Sequence, residues 1–494
     1  MSALRFPPFS ALAVCVFRLF TPVVALLLLA AAAPASEKRV ARPTTLHLNL
    51  EQAIQLALSK NFTLEVERFE PQIAAQRVTQ ELGRFDPIFN LSANRAEQTI
   101  RDQFDGEHHF SITDISRTDR ISAGFTGTTF WGLDYDLSVG TSGRTGTSNL
   151  FDEFFTGDAT FSVRQPLLRG FGPDSNLANL RIARNNQLVS EWGLKQRVID
   201  VVTSTISTYN NLHLAQEALK VARGFRDLAR QLLDDNVKRE QIGVMSPLDI
   251  TTARAEAASR EEAVIVADRL VKDNANFLKQ LITRDLEKLL DVKVDIDPPP
   301  TPLFIPNVRG GINEALVDRP DYRQALLEIE RRHITLAFTK DSALPRLDLE
   351  ASLNLLGFDN DAGTSLNRVP RRDQTNWSVG AIFSVPIPNR EGRGSVLAAK
   401  LSSAQSLVSL QRLEQQIVVD VDNANGAVIT ARERIESNEQ ARKLAEESLS
   451  AGEERLRVGR GTTFEVLELQ KNLAEAQTAE IRARADYNLS LIHI

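Results

Sequence analysis

The sequence predicts a mainly α chain with β. Two long coiled-coil helical hairpins, related by internal duplication, each follow a set of strands, about four strands in all, of a kind suited to a barrel shared between subunits. Three observations predict it. Gly243-Val-Met-Ser246-Pro-Leu-Asp249-Ile250 is answered 216 residues later by Gly459-Arg-Gly-Thr462-Thr-Phe-Glu465-Val466. Residues 57–94 align without a gap on residues 315–352, an offset of 258 that puts Pro87 on Pro345 and Phe89, Leu91 and Ala93 on Leu347, Leu349 and Ala351. Gln165-Pro-Leu167 is matched by Val385-Pro-Ile387. A repeat found at this level sets the frame for every later assignment.

The first 35 residues read as a secretory signal: Arg5 and Arg18 precede an apolar run from Thr21 to Ala33, and Ala33-Pro-Ala35 fits a small-x-small cleavage site. That run is shorter than the roughly 20 apolar residues a lone membrane helix needs. The only cysteine, Cys15, lies inside it, so the mature chain is expected to carry no disulfide or thiol chemistry. A lipidation signal at Leu12-Ala-Val-Cys15 is disfavoured by bulky Val14. The expected organisation is then residues 36–297 as a first repeat, 298–310 as a proline-rich connector around Pro298-Pro-Pro300, and 311–494 as a second repeat. The last residues, Leu-Ser-Leu-Ile-His-Ile494, correspond under the 216 offset to a point before the first copy's final helix is complete, so the second repeat is expected to be truncated.

A helical pattern runs from Leu50 to Leu82, with Ala53, Leu56, Ala57 and Leu64 on one face. The period then changes to two. Phe89, Leu91 and Ala93 alternate with Asn90, Ser92 and Asn94, and the habit continues at Ile121–Phe125, Leu133–Val139 and Ala159–Val163. In the second half Leu347–Leu355 and Trp377–Val385 do the same. Segments of this length suit tilted membrane strands, although a small soluble sheet would alternate equally well. About four strands cannot close a barrel alone, and lipid tolerates no open edge, so either the sheet is soluble or several chains share one barrel. The polar stretches at residues 101–120 and 357–374 read as external loops, and Trp131 and Trp377 as interfacial aromatics or buried sheet residues.

Beyond Pro166 the seams Val198, Val202, Thr205, Tyr209, Leu212, Gln216, Leu219 and Ile417, Val421, Ala424, Val428, Ala431, Ile435 step by threes and fours, which requires a partner helix. The stretch from Pro166 to Gly243 exceeds that from Pro386 to Gly459 by four residues. At each tip glycine permits the left-handed turn that ends one helix, Ser246 or Thr462 caps the next, and Asp249 or Glu465 stands where a capping box needs an acid. Glu465 and Glu468 fall on nearly one face, while Thr252 stands where the first copy would match Glu468.

These features together resemble the TolC-like outer-membrane efflux family. The resemblance rests on Asn49-Leu-Glu-Gln-Ala-Ile-Gln-Leu-Ala-Leu58, on Gln165-Pro-Leu-Leu-Arg-Gly-Phe-Gly172 and on the twin Gly-x-x-Ser/Thr-x-x-Asp/Glu-Val/Ile tips, and it covers essentially the whole mature chain. It implies a homotrimer in which each subunit gives four strands to one twelve-stranded barrel in outer-membrane lipid, with the helical tube in the periplasm. It also implies a passive exit duct of a tripartite pump or type I secretion system, served by a periplasmic adaptor and, through it, an inner-membrane transporter. Gly243, Ser246, Asp249, Gly459 and Thr462 would dock the adaptor. Glu465 and Glu468 would ring the periplasmic entrance.

The other function classes find less support. A net charge of −6 gives no basic patch for nucleic acid. No phosphate loop or Gly-x-Ser-x-Gly motif is present, so no enzymatic activity and no cofactor are expected. Asp105, Glu107, His108 and His109 could bind a metal, but adjacent histidines in a polar loop are usually a solvated run, and His213 reads as a packing or surface residue of the arm. The alternative from another class is a periplasmic adaptor-type coiled-coil protein without a channel, but that would carry one hairpin, not two.

Overall fold

The structure, a computed structural model, describes residues 45–103, 111–147, 152–243, 245–302, 304–305, 307–372 and 374–493. The expected signal, Cys15 and the Asp105–His109 run lie outside these residues. Strand β1 (Thr45–Leu48) pairs in parallel with β6 (Lys293–Ile296), and both lie against the long helix that carries Tyr209 and Gln216. Helix α1 (Leu50–Lys60) starts in a capping box: Asn49 Oδ1 accepts from Gln52 N at 2.8 Å, and Asn49 N donates to Gln52 Oε1 at 3.2 Å. The cap accounts for Asn49 and Gln52 of the Asn49–Leu58 motif.

The single helical pattern read across residues 50–82 is three helices: α1, α2 (Phe62–Glu67) and α3 (Phe69–Leu82). Asn61 makes the first break. Its backbone is extended, and its Oδ1 accepts from Thr63 N at 2.9 Å and Leu64 N at 3.2 Å, so a polar side chain replaces the helical bonds there. In the second half α7 (Val308–Asp318) repeats α1 end for end at the 258 offset, and α8 (Pro320–Ser342) leads to the sheet. Val308 lies three residues inside the span read as the 298–310 connector.

Among the described residues the sheet has six strands where the sequence suggested about four. They are β2 (Ile88–Gln103), β3 (Ser111–Thr128), β4 (Asp134–Gly146), β5 (Phe154–Pro166), β7 (Arg346–Asp359) and β8 (Gln374–Ser384), in the order β2-β3-β4-β5-β7-β8. All five pairings are antiparallel. Much of the 101–120 stretch read as a loop is therefore strand. From Ser116 to Arg120 polar residues fall on both alternating faces, which hid the strand period. The 357–374 stretch holds a short helix, α9 (Ala362–Arg368).

One face of the sheet is apolar and the other polar across its whole width. A single row of partners reads Phe89, Phe125, Leu137, Phe161, Leu353, Trp377. The adjacent row reads Asn90, Gly124, Ser138, Thr160, Asn354, Asn376. All six residues of the apolar row are exposed. A sheet presenting an unburied apolar band on one face and a polar surface on the other has the pattern of a lipid-facing barrel wall. No helix of the described residues is long and apolar enough to cross a membrane.

The Gln165–Gly172 motif joins sheet to helices. Gly170 and Gly172 both have positive φ, +82° and +85°, and Gly170 N donates to Asp341 Oδ2 at 2.8 Å. Asn176 Nδ2 donates back to the carbonyls of both glycines. After the single turn α4 (Pro173–Asn176) come the arms: α5 (Ala178–Gln241), α6 (Pro247–Ile282), α10 (Arg390–Arg457) and α11 (Thr463–Ser490). Their 64- and 68-residue members, α5 and α10, run about 100 Å each.

At the base of the first hairpin Tyr209, Leu212, Leu278 and Ile282 pack with Ala53, Ala57 and Leu64. The fully buried Tyr209 hydroxyl lies 2.8 Å from Asp297 O and 3.1 Å from Leu48 O, tying α5 to both short strands. Burial pushes its phenol up to about 12. Of the predicted seams, Thr205, Tyr209, Leu212, Leu219, Ile417, Val428 and Ala431 are buried, with Val201 taking the place expected of Val202.

Candidate functional site

The two hairpin tips are built alike and lie side by side. Helix α5 ends at Gln241 and α10 at Arg457, and α6 and α11 begin at Pro247 and Thr463, so both boundaries repeat at the 216 offset. Gly243 and Gly459 sit at φ +73° and +75°. A Cβ built on either meets nothing within 4 Å. Glycine is required there by the left-handed backbone, not by crowding from the chain's own atoms.

The caps differ in detail. Ser246 Oγ accepts from Leu248 N at 3.2 Å, whereas Thr462 Oγ1 accepts from Glu465 N at 3.2 Å. The reciprocal bond of a full capping box is absent from both: Asp249 makes none, and the Glu465 carboxylate turns away to an ion pair with Arg455. In the second tip Arg455 O accepts from both Arg460 N (2.8 Å) and Gly461 N (3.0 Å), which closes the turn without a proline. The tips touch through Thr463 Oγ1 and Met245 Sδ, 4.0 Å apart, and through Arg239 Nη1, which donates to Leu456 O at 3.5 Å. Behind them Phe225, Leu449, Leu456, Val466 and Leu473 form a core that locks α5, α10 and α11 together.

Of the two glutamates read as an entrance ring, the structure separates the roles. Glu465 is held by Arg455, while Glu468 is exposed and has no ion-pair partner among the described residues. Arg457 is engaged by Glu454. In the first hairpin Thr252, the counterpart of Glu468, donates to Leu248 O of its own helix at 3.0 Å.

Sequence reasoning missed four side chains. Ile242 and Leu248 flank the first tip at 74% and 73% exposure, and Val458 and Phe464 flank the second at 59% and 70%. They are equivalent at the 216 offset, and that was the available signal: an apolar residue before the glycine and another after the cap, kept in both copies yet left largely exposed. Exposed apolar side chains grouped with polar neighbours mark an interaction surface more strongly than isolated ones do.

His213 sits half-buried in the arm, and burial makes it less basic than usual. Among the described residues no group of three or more His, Cys, Asp or Glu is placed to hold a metal ion.

Comparison with known proteins agrees with this geometry. The family model described as outer membrane efflux protein matches residues 131–284 and 311–494. The outer membrane protein TolC of Vibrio cholerae is 21% identical over 306 residues, which are 60% of this chain and 66% of that protein. The probable efflux pump outer membrane protein TtgC of Pseudomonas putida is 22% identical over 357 residues, 71% of this chain and 70% of that one. Among solved structures, the Campylobacter jejuni CmeC outer membrane channel superposes with a TM-score of 0.69 at 18% identity, covering 90% of this chain and 84% of that chain.

Proposed function

The chain belongs to the outer membrane efflux protein family, and from that premise we propose that it is the outer-membrane exit duct of a tripartite efflux pump or type I secretion system. In this reading three copies share one barrel. Substrate passes from an inner-membrane transporter through a periplasmic adaptor into the helical tube, and the duct itself supplies no energy. The observation that carries the reading is the pairing of two structures in one chain. A sheet with an unburied apolar face is joined to helical arms of about 100 Å, which end in duplicated tips. The sheet suits lipid on the outside and polar cargo on the inside. The arms are long enough to reach partners well away from the membrane.

At the tips Gly243 and Gly459 make the reversal, Ser246 and Thr462 cap the next helix, Asp249 stands in its first turn, and the four apolar flanking residues present the surface an adaptor would cover. Glu468 and, once released from Arg455, Glu465 would face the entrance. Carboxylates around a constriction favour cations. The test is fractionation with epitope-tagged protein. The duct reading expects a detergent-stable oligomer in the outer-membrane fraction, and recovery as a soluble periplasmic monomer would overturn it.

A further inference from the structure

The duplication that organises the arms also organises the sheet, with one exception. At the 258 offset β2 begins where β7 begins, Ile88 on Arg346; at an offset of 220 β5 begins where β8 begins, Phe154 on Gln374. The first repeat therefore carries 38 more residues than the second within its sheet, the difference of 258 and 220. Those residues fall between β2 and β5, where the structure places the β3–β4 hairpin with its turn at residues 129–133. In the second repeat β7 pairs directly with β8, whereas β2 and β5 are held apart by β3 and β4.

The added hairpin is fully integrated in the wall. Its apolar row members Phe125 and Leu137 line up with those of the other four strands. Its turn is anchored at the helical end of the sheet, where Phe130 meets Phe85 at 4.6 Å between ring centres and Gly172 N donates to Trp131 O at 3.2 Å.

Among the described residues the two strands left with an unpaired edge are β2 and β8. Both are exposed on both faces, β8 along its whole length and β2 from Ile88 to Thr99. They run in opposite senses, because five antiparallel steps separate them. A β8 edge laid against the β2 edge of another copy thus continues the strict alternation without a break. The register of that contact can be read from the duplication. The contact equivalent to β8 on a neighbouring β2 is β5 on β7 inside the chain, where Val163 faces Ala351 and Arg164 faces Glu350. Carrying each partner across by its own offset, 220 forward and 258 back, puts Phe383 opposite Ala93 and Ser384 opposite Ser92. Apolar then meets apolar, and polar meets polar.

Resting on the trimeric duct reading above, we infer that this chain closes an eighteen-stranded barrel, six strands from each of three copies, by pairing β8 of one copy with β2 of the next in the Phe383–Ala93 register. The partner is a second copy of this chain, recognised by strand edges. At a strand spacing near 4.8 Å and a tilt near 40°, eighteen strands give a backbone diameter of about 36 Å, against about 24 Å for twelve. The outer-membrane section of the duct is then about half as wide again as one built from the second repeat's two-strand pattern.

The test is cysteine cross-linking in the full chain with Cys15→Ser, oxidised in intact outer membranes. Ser92→Cys with Ser384→Cys is expected to give a ladder ending at three covalently joined chains. Ser92→Cys with Ser378→Cys, six residues out of register, should give none. A second pair, Ser142→Cys with Ile382→Cys, would cross-link only if β8 met β4, as in a twelve-stranded wall with β2 and β3 outside. Cross-linking of that second pair overturns the proposal and leaves the duct reading intact. So does an uncross-linked Ser92/Ser384 variant that is still a membrane trimer by native mass measurement. A monomer outside the membrane fraction would overturn the duct reading itself.

Discussion

Leu248 and Phe464 offer the sharpest test of the tip surface. Each is replaced by serine, alone and together. Their exposures of 73% and 70% mean that folding has claimed little of their apolar area. Full burial of a Leu or Phe side chain is worth about 1.5–3 kcal/mol, so roughly 1–2 kcal/mol per residue remains for a partner that covers it. The double replacement should then weaken docking by about 2–4 kcal/mol, on the order of 30- to 1,000-fold in affinity. Surface changes that touch no core feature shift stability by only about 0.5 kcal/mol. The assay is binding of the purified detergent-solubilised protein to a periplasmic adaptor from the same cell, by biolayer interferometry, with thermal unfolding run in parallel. A loss of less than about threefold would refute the assignment of these residues to docking. A fall in unfolding temperature matching the loss of binding would mean they stabilise the tip and do not form its surface.

Other expectations follow from the same geometry. Gly243→Val and Gly459→Val should each cost about 1–2 kcal/mol locally, because φ near +75° is left-handed, and should abolish export while leaving membrane insertion unchanged on fractionation. In planar bilayers Glu468→Gln should reduce cation selectivity more than Glu465→Gln, since Arg455 already compensates Glu465, and Arg455→Gln should raise selectivity; equal effects of the two glutamine variants would contradict this. Tyr209→Phe should lower stability by about 1–2 kcal/mol in denaturant unfolding by removing the hydroxyl that reaches Asp297 O and Leu48 O. The phenol's folded pKa, about 12, lies above its ordinary 10, so the protonated form is favoured by folding. Its contribution is complete below pH 10 and is lost as pH rises toward 12, and the gap between wild type and Tyr209→Phe should close across that window.

Much of this protein was legible in the chain alone, because the duplication repeats helix ends residue by residue. Gly243 and Gly459, with Ser246 and Thr462, are local devices, and local backbone chemistry fixes them wherever they occur. The seams through Tyr209 and Val428 were equally readable, since a helix face buried along its length must repeat at the helical period.

What only the tertiary structure decided depends on partners distant in sequence. From Ser116 to Arg120 strand β3 has polar residues on both faces, so its pairing with β2 and β4, and not its own period, makes it a strand. Asn61 breaks a helix that its neighbours would continue, because its side chain captures two backbone donors. Glu465 finds Arg455 across the turn, and so the two glutamates that look equivalent on one helix face carry different charge environments. The exposure of Leu248 and Phe464 shows only in the fold, which leaves both uncovered. Sequence sets which side chains each helix and strand presents; burial is a property of what is packed against them, and that is settled only when the arms and the sheet come together.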